Sequence, residues 1–352
     1  MKTGAAEEYK TEYLEDNKDV QYLNLILDFG EIDYSGDLNE MSFAEYTWGH
    51  SGGYPVHYVS VPGVGYGNVA ASFAAPFLSK IKLGAKVTGI NYEDQNNVIV
   101  SFTENGVARK VFAKTVLVSA SLGVLKAGSI SFTPSLPGWK QEVIDNMGFG
   151  LANKCLMQWN DEDDMVWPEE KAGFELITQS SDTSGKWTTF FNPSKLKGVP
   201  LLEGLIGGDD ARDMEIQTDE EIIDDVMKNL RAMFPTISRP DRVIITRWGQ
   251  EENIRGAYAF KVKGRDFDDD AWNLQRSVGK IWFAGEAMSG TWYGTAVGAW
   301  ETGEEAAQEM AEEIAALASS SSVSSVPSSS ASVSSSHVWY SALFGVVLVC
   351  FP

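Results

Sequence analysis

Only two cysteines and three histidines occur in 352 residues. Cys155 and Cys350 form no CxxC pair, and His50, His57 and His337 stand at no metal-ligand spacing. A zinc site is therefore not expected, and no metal is assigned. Basic residues are scarce as well: 28 Lys and Arg face 49 Asp and Glu, a formal net charge of −21. Such a chain repels phosphate backbones, which argues against nucleic acid as a partner and leaves small cationic molecules as favoured ligands. The opening "MKTGAAEEYKTEYLEDNKDV" has no apolar signal-peptide core. A membrane helix needs ~20 apolar residues, and the final run "HVWYSALFGVVLVCFP" is shorter. No internal repeat is visible.

Apolar and aromatic residues are plentiful. At 43% hydrophobic and 11% aromatic, with 11 Trp and 12 Tyr, the chain can bury a large core. Its length suggests two domains. The aromatics fit either extra core or the walls of a ligand cavity. After the folded part comes "SSSSVSSVPSSSASVSSS" (Ser319 to Ser336), a flexible spacer. Spacer plus apolar tail resemble a glycolipid-anchor signal, which would make the tail a membrane tether. The leaderless start points instead to the cytoplasm, so the compartment stays open between the two.

Residues 5–28 read as a helix by apolar spacing. "EIDYSGDLNEMSFAEY" reads as a turn around Ser35, Gly36 and Asp37, followed by a helix capped at Ser42. "VHYVSV" is a strand candidate, and "GNVAASFAAPFLSKI" a small-residue helix able to lie close against a sheet. "AKVTGINYED", "NNVIVSFTEN" and "RKVFAKTVLVSA" alternate like strands. "ANKCLMQW" and "RVIITRWG" continue that pattern. "TDEEIIDDVMKNLRAMF" is an amphipathic helix with Thr218 as N-cap and Glu221 three residues on, a capping box. The mixture predicts an α/β (α+β mixed) architecture.

Two glycine-rich stretches invite a dinucleotide reading. In "VPGVGYGNVAASF" Gly63 and Gly65 precede a helix, but a GxGxxG loop needs glycine where Asn68 stands. That stretch is read as a flexible turn. "GKIWFAGEAMSGTWYGTAVGAWETGEEAAQEM" (Gly279 to Met310) is different: an apolar strand, a Gly285-Glu286 turn, and a helix whose first turn is small. Exposed N–H groups at such a terminus stabilise a pyrophosphate. Gly298 and Ala299 leave room for a ligand to approach. A turn packed only against protein has the same sequence signature.

Several stretches together resemble the flavin-containing amine oxidases. "VSASLGVLK", "FTPSLPGWK" and "GFGLANK" are the most telling, with "ITRWGQEENIRGAYAF" and the Gly279 stretch as the later pieces. Polyamine oxidases look closest, also through "IDYSGDLNEMSF", and the resemblance covers roughly residues 5–315. It implies a two-domain fold with a discontinuous FAD-binding domain and a substrate domain of mixed sheet and helices. The expected boundaries are 1–69 and 151–258 for the substrate domain and 70–150 and 259–316 for the FAD domain, then a 317–336 linker and a 337–352 apolar tail. The family's first Rossmann βαβ, with its glycine fingerprint, has no counterpart before Val61.

The resemblance also implies roles. Val87 would hold the adenine side through its backbone, at the end of its strand. Gly285 and Glu286 would contact the ribose or ribityl region, and Thr295, Ala296 and Val297 would place N–H groups near the flavin and phosphates. Lys154 would be the catalytic lysine, holding a water beside the flavin N5; burial would make it release its proton readily. Trp248 would pack beside the isoalloxazine and Tyr258 would wall the amine cage; the second cage aromatic of many relatives falls at Thr295, which makes the cage one-sided or completed by Trp292 or Tyr293. The implied reaction oxidises an amine, polyamines above all, to an imine by hydride transfer to FAD, with O2 reoxidising the flavin to give H2O2.

From the residues alone, Lys154 reads as a solvent-facing strand lysine, Trp248 and Tyr258 as core, and Glu286 as a turn cap. Two further oxidase readings remain: an L-amino-acid oxidase, which needs a carboxylate-binding arginine such as Arg247 or Arg255, and a histone-lysine demethylase. A third is a truncated or degenerate, non-catalytic member of the family. The oligomeric state is not indicated.

Overall fold

The computed structural model describes residues 31–37, 40–42, 66–94, 96–177, 186–322 and 348–351. The helix expected over residues 5–28, the "VHYVSV" strand and the helix expected after Ser42 lie outside them. Residues 1–65 with 148–265 make one compact unit, and 66–147 with 266–352 a second.

The second unit opens with α1 (Tyr66–Ala74), which tightens into a 3-10 turn at Pro76. β1 (Ala85–Asn91), β2 (Val98–Glu104) and β3 (Val107–Ala113) form an antiparallel meander. β4 (Thr115–Val118), α2 (Leu122–Lys126), β5 (Ser131–Thr133) and α3 (Gly138–Asn146) follow. The first unit then supplies β6 (Gly148–Phe149), β7 (Ala152–Gln158), β8 (Gly173–Glu175), β9 (Thr189–Phe191), α4 (Ser194–Lys197) and β10 (Leu201–Gly207). It continues with α5 (Gly208–Glu215), α6 (Asp219–Met233), β11 (Arg242–Ile245) and β12 (Ala259–Phe260). The chain returns to the second unit with α7 (Phe267–Gln275), β13 (Ile281–Phe283), α8 (Ala296–Ser322) and β14 (Leu348–Phe351).

The first unit is built on a five-stranded sheet in the order β11-β7-β10-β9-β8. Its core joins Cys155, Met157 and Trp159 of the sheet region to Ile222, Val226 and Leu230 of α6. Those helix positions recur every four residues, which puts them on one face. The capping box forms as expected: Glu221 N donates to Thr218 Oγ1 at 3.3 Å and Thr218 N to Glu221 Oε2 at 2.8 Å. The Thr218 N–H and hydroxyl, which both donate to Glu221 Oε2, hold this carboxyl below its usual pKa. Burial, reinforced by the Asp219 charge, pushes the Cys155 thiol up to about 12, so it serves as packing and not as a nucleophile.

The second unit carries a four-stranded sheet, β3-β2-β1-β5, and a three-stranded one, β13-β4-β14. "RKVFAKTVLVSA", expected as one strand, is divided between them. β3 is exposed except at Ala113, while β4 is buried throughout and pairs in parallel with β13. The chain changes sheets at Lys114, whose Nζ donates to Asn96 O and to Asn97 Oδ1, both at 3.2 Å. A fully buried strand such as β4 suits a sheet covered on both faces. α1, expected to lie on a sheet, is largely exposed and sets Phe73 against Trp300 of α8, ring centroids 4.5 Å apart. No helix among the described residues is long and apolar enough to cross a membrane. From the apolar tail, Leu348–Phe351 adds to β4 as antiparallel β14.

Lys140 of α3 is fully buried. Its Nζ donates to the carbonyls of Leu274 and Arg276, both at 2.5 Å, and of Asn273 at 3.2 Å, at the carboxyl end of α7. It also lies 3.9 Å from the centroid of the Phe283 ring, the last residue of β13. Burial and the nearby Arg276 charge push its pKa down to about 6; the carbonyls and the ring favour the charged form and oppose that shift.

Candidate functional site

In the second unit, parallel β4 and β13 lead to the Gly285-Glu286 turn at the carboxyl end of β13. In open α/β sheets, ligands bind at that end. A side chain at Gly285 would meet nothing within 4 Å, so the turn is open on that side. Thr302, buried on α8, fastens it: its Oγ1 accepts from Gly285 N at 3.1 Å and lies 2.8 Å from Gly298 O as donor. Sequence reading missed this residue. Its one signal was a threonine inside a helix, where the hydroxyl commonly bonds back to the carbonyl four residues earlier.

Glu286 Oε2 accepts from Gly294 N at 2.6 Å, which ties the turn to the loop before α8. Thr295 Oγ1 donates to Trp292 O at 2.7 Å and accepts from Gly298 N at 3.1 Å. The amides of Ala296 and Val297 find no acceptor among the described residues. α8 runs for 27 residues, so its dipole and these two open amides make an anion-accepting terminus. Gly298 has a different purpose from the one expected: a Cβ there would lie 2.3 Å from Trp292 O. Its missing side chain lets the loop cross the helix and does not primarily clear space for a ligand. Tyr293 rests on Phe267, centroids 4.5 Å apart, and Trp292 N donates to Ser289 Oγ at 2.9 Å. Val87 is buried in the middle of β1 and not at its end, next to a register shift between Val87 and Gly89. β5 pairs only with Gly89–Asn91, so it leaves Val87 unpaired on that side.

Replacing Thr302 with valine keeps the shape but removes the acceptor for Gly285 N. An expected loss of about 1–2 kcal/mol follows, with Thr302→Ser close to wild type; urea unfolding of the three proteins measures it.

In the first unit, Lys154 lies on β7 and is half exposed, with its Nζ 2.5 Å from Glu203 Oε1 on β10. The expected burial of this lysine is corrected by that pairing: a diagonal partner on the neighbouring strand holds its ammonium at the surface of the unit. Desolvation acts on Lys140 instead. The Lys154 N–H donates to Thr246 Oγ1 at 2.8 Å. Trp248 is half-buried against the unit's core, and its N–H donates to Asn153 Oδ1 at 3.1 Å. Tyr258 donates its hydroxyl to Ile32 O at 2.9 Å, and its carbonyl accepts from Gly150 N at 2.8 Å. A Cβ at Gly150 would lie 2.0 Å from Ser35 O, so only glycine brings these segments together. Arg247, one of the two carboxylate-binding candidates, is committed to Asp219 at 2.7 Å and to Gln217 O at 3.0 Å.

The donor set in the second unit suits a dinucleotide: open amides for phosphate oxygens, a carboxylate for a sugar hydroxyl, and a turn with no Cβ in the way. A family model described as flavin containing amine oxidoreductase matches residues 3–311. Polyamine oxidase 2 of Arabidopsis thaliana is 33% identical over 228 residues, 65% of this chain and 44% of that protein. Polyamine oxidase 4 of Oryza sativa subsp. japonica is 33% identical over 227 residues, 64% of this chain and 44% of that protein. Histone demethylase-like protein A of Aspergillus fumigatus is 36% identical over 208 residues, 55% of this chain and 19% of that protein. The chain thus spans less than half the length of these curated relatives.

Proposed function

This chain belongs to the flavin-containing amine oxidoreductase family, and on that premise we propose that it serves FAD-dependent oxidation of small cationic amines, polyamines first. The observation that carries the proposal is the pair of open amides at Ala296 and Val297, set at the head of α8 after the Gly285-Glu286 turn. FAD, when bound, supplies a two-electron acceptor that O2 reoxidises with formation of H2O2.

In the second unit, the Ala296 and Val297 amides would bind phosphate or carbonyl oxygens, with Thr295 shaping the terminus. Gly285 would let the cofactor approach, Glu286 would accept from a ribose or ribityl hydroxyl, and the Val87 backbone would meet the adenine. Trp292, Tyr293 and Thr295 are assigned to the amine. In the first unit, Trp248 and Tyr258 would offer aromatic faces to a cationic substrate. Lys154 would hold a water for proton transfer. Residues 1–69 and 151–258 are thereby assigned to substrate, and 70–150 and 259–316 to FAD.

The test is peroxide formation by the FAD-saturated chain with spermidine, spermine, or a peptide bearing methylated lysine. The peptide arm is included because one relative is named a histone demethylase-like protein. The expected result is peroxide from a polyamine, slowed about 100-fold in Lys154→Met with flavin content unchanged. Peroxide from none of the substrates would refute the oxidase reading. An undiminished rate in Lys154→Met would refute the role given to that lysine.

A further inference from the structure

A cavity of about 320 Å3 lies within the first unit, lined by Phe149, Arg212, Glu215, Gly249, Gln250 and Arg255 among others. It sits on the sheet face opposite Lys154. Along β7, successive side chains point to opposite faces. Lys154 is half exposed on one, while buried Asn153 turns to the other and donates to Glu215 Oε1 at 2.9 Å. A ligand here would lie on the other face of β7 from Lys154, beside the segment that joins Trp248 to Tyr258.

The charges in this concavity are uneven. Glu215 is buried, and its Oε1 already accepts from Asn153 and from Gly249 N at 2.7 Å. Its backbone carbonyl accepts from Gln250 Nε2 at 2.6 Å. Oε1 is therefore engaged within the protein, which leaves Oε2 as the one carboxylate oxygen at the cavity with no partner among the described residues. Arg255 has no carboxylate partner among the described residues; only its backbone N–H is bonded, to Glu251 O at 2.9 Å. Among the described residues, Arg212 pairs only with exposed Asp209, three residues away on α5. Such surface pairs contribute about 0–1 kcal/mol and yield readily to a better partner. Two other arginines of the unit are more fully matched: Arg239 meets both Glu220 and Asp224, and Arg247 meets Asp219 and a carbonyl. Arg255 and Arg212 line one cavity in a chain of net charge −21.

The walls are built by close backbone approach. A Cβ on Gly256 would lie 2.4 Å from Phe149 Cε1, and one on Gly249 would lie 2.6 Å from Glu215 Oε2. Arg255 itself takes φ 60°, a left-handed conformation that a non-glycine residue holds only when its surroundings enforce it. Guanidinium groups match the oxygens of carboxylates and phosphates. The volume suits a ligand at the small end of the usual range.

We propose that this cavity is a binding site for a small oxyanion, a carboxylate or a phosphate, held by Arg255 and Arg212. The test needs neither cofactor nor turnover. The full chain is titrated calorimetrically at constant ionic strength with sodium malonate and, separately, with inorganic phosphate. One saturable site is expected, weakened tenfold or more by Arg255→Gln and by Arg212→Gln. Arg239→Gln, which removes an arginine already paired outside the cavity, is expected to bind as the wild type does. Both cavity arginines are exposed, so the variants should keep the wild-type melting curve and far-ultraviolet circular dichroism. Tighter malonate binding would assign a carboxylate ligand, tighter phosphate binding a phosphate. Heats of dilution alone with both anions, or wild-type affinity in both cavity variants, would overturn the proposal.

Discussion

Lys140→Met is expected to cost about 3 kcal/mol of stability at pH 9, where the chain loses the amine that serves the end of α7, and much less at pH 6. The wild-type lysine has its folded pKa depressed to about 6, whereas an unfolded lysine titrates near 10.4. Between those values the unfolded chain holds a proton that the folded chain lacks. Folding is therefore favoured as pH rises through this window and least favoured below it. The slope reaches at most about 1.4 kcal/mol per pH unit. Methionine fills similar volume without titrating, so the variant should lose that slope. It also removes the amine from the carbonyls of Asn273, Leu274 and Arg276, of which the neutral form, with two N–H groups, serves two at a time. Urea unfolding of both proteins at pH 6, 7.5 and 9 gives the comparison. Parallel stability-against-pH curves would show that Lys140 keeps its charge across the window.

The second large effect is expected at Gly298. Alanine there would place a methyl group 2.3 Å from Trp292 O and 2.9 Å from Ser289 Cβ. The loop must then shift, because a backbone carbonyl does not swing aside as a long side chain can. Gly294, whose amide bonds Glu286, and Thr295, which caps α8, belong to that loop. Overpacking of this kind costs roughly 1–3 kcal/mol. If the head of α8 receives FAD, Gly298→Ala should weaken FAD binding by about 30-fold or more, measured by flavin fluorescence titration. Gly303→Ala is the control: it lies on the same helix, with nothing within 4 Å of the added methyl group. It should leave FAD binding unchanged. Equal FAD affinity in both variants would separate the helix terminus from cofactor binding.

Local signals in the sequence were the legible ones. The Thr218 and Glu221 capping box depends on residues three apart and formed as expected. β1, β2 and β7 follow from alternation, and the turn from β13 into α8 from its glycines and small residues. α7 went unnoticed because "FDDDAWNLQ" shows little apolar periodicity. Its start signal was nevertheless present in Asp266, whose side chain caps the amides of Asp268 and Asp269. The division between β3 and β4 could not be read, since alternation does not say which sheet a strand will join. Lys154 shows the same limit: Glu203, its partner, is 49 residues away and meets it only through the register of β7 with β10. The oxyanion cavity likewise draws on segments near residues 150, 215, 249 and 255, and no single window contains it.

The visible absorption spectrum of the purified chain, incubated with FAD and then desalted, tests the central claim most directly. The account predicts flavin bands corresponding to about one FAD per chain, reduced in Gly298→Ala and retained in Lys154→Met. A colourless wild-type chain that is folded by circular dichroism yet takes up no flavin would contradict it.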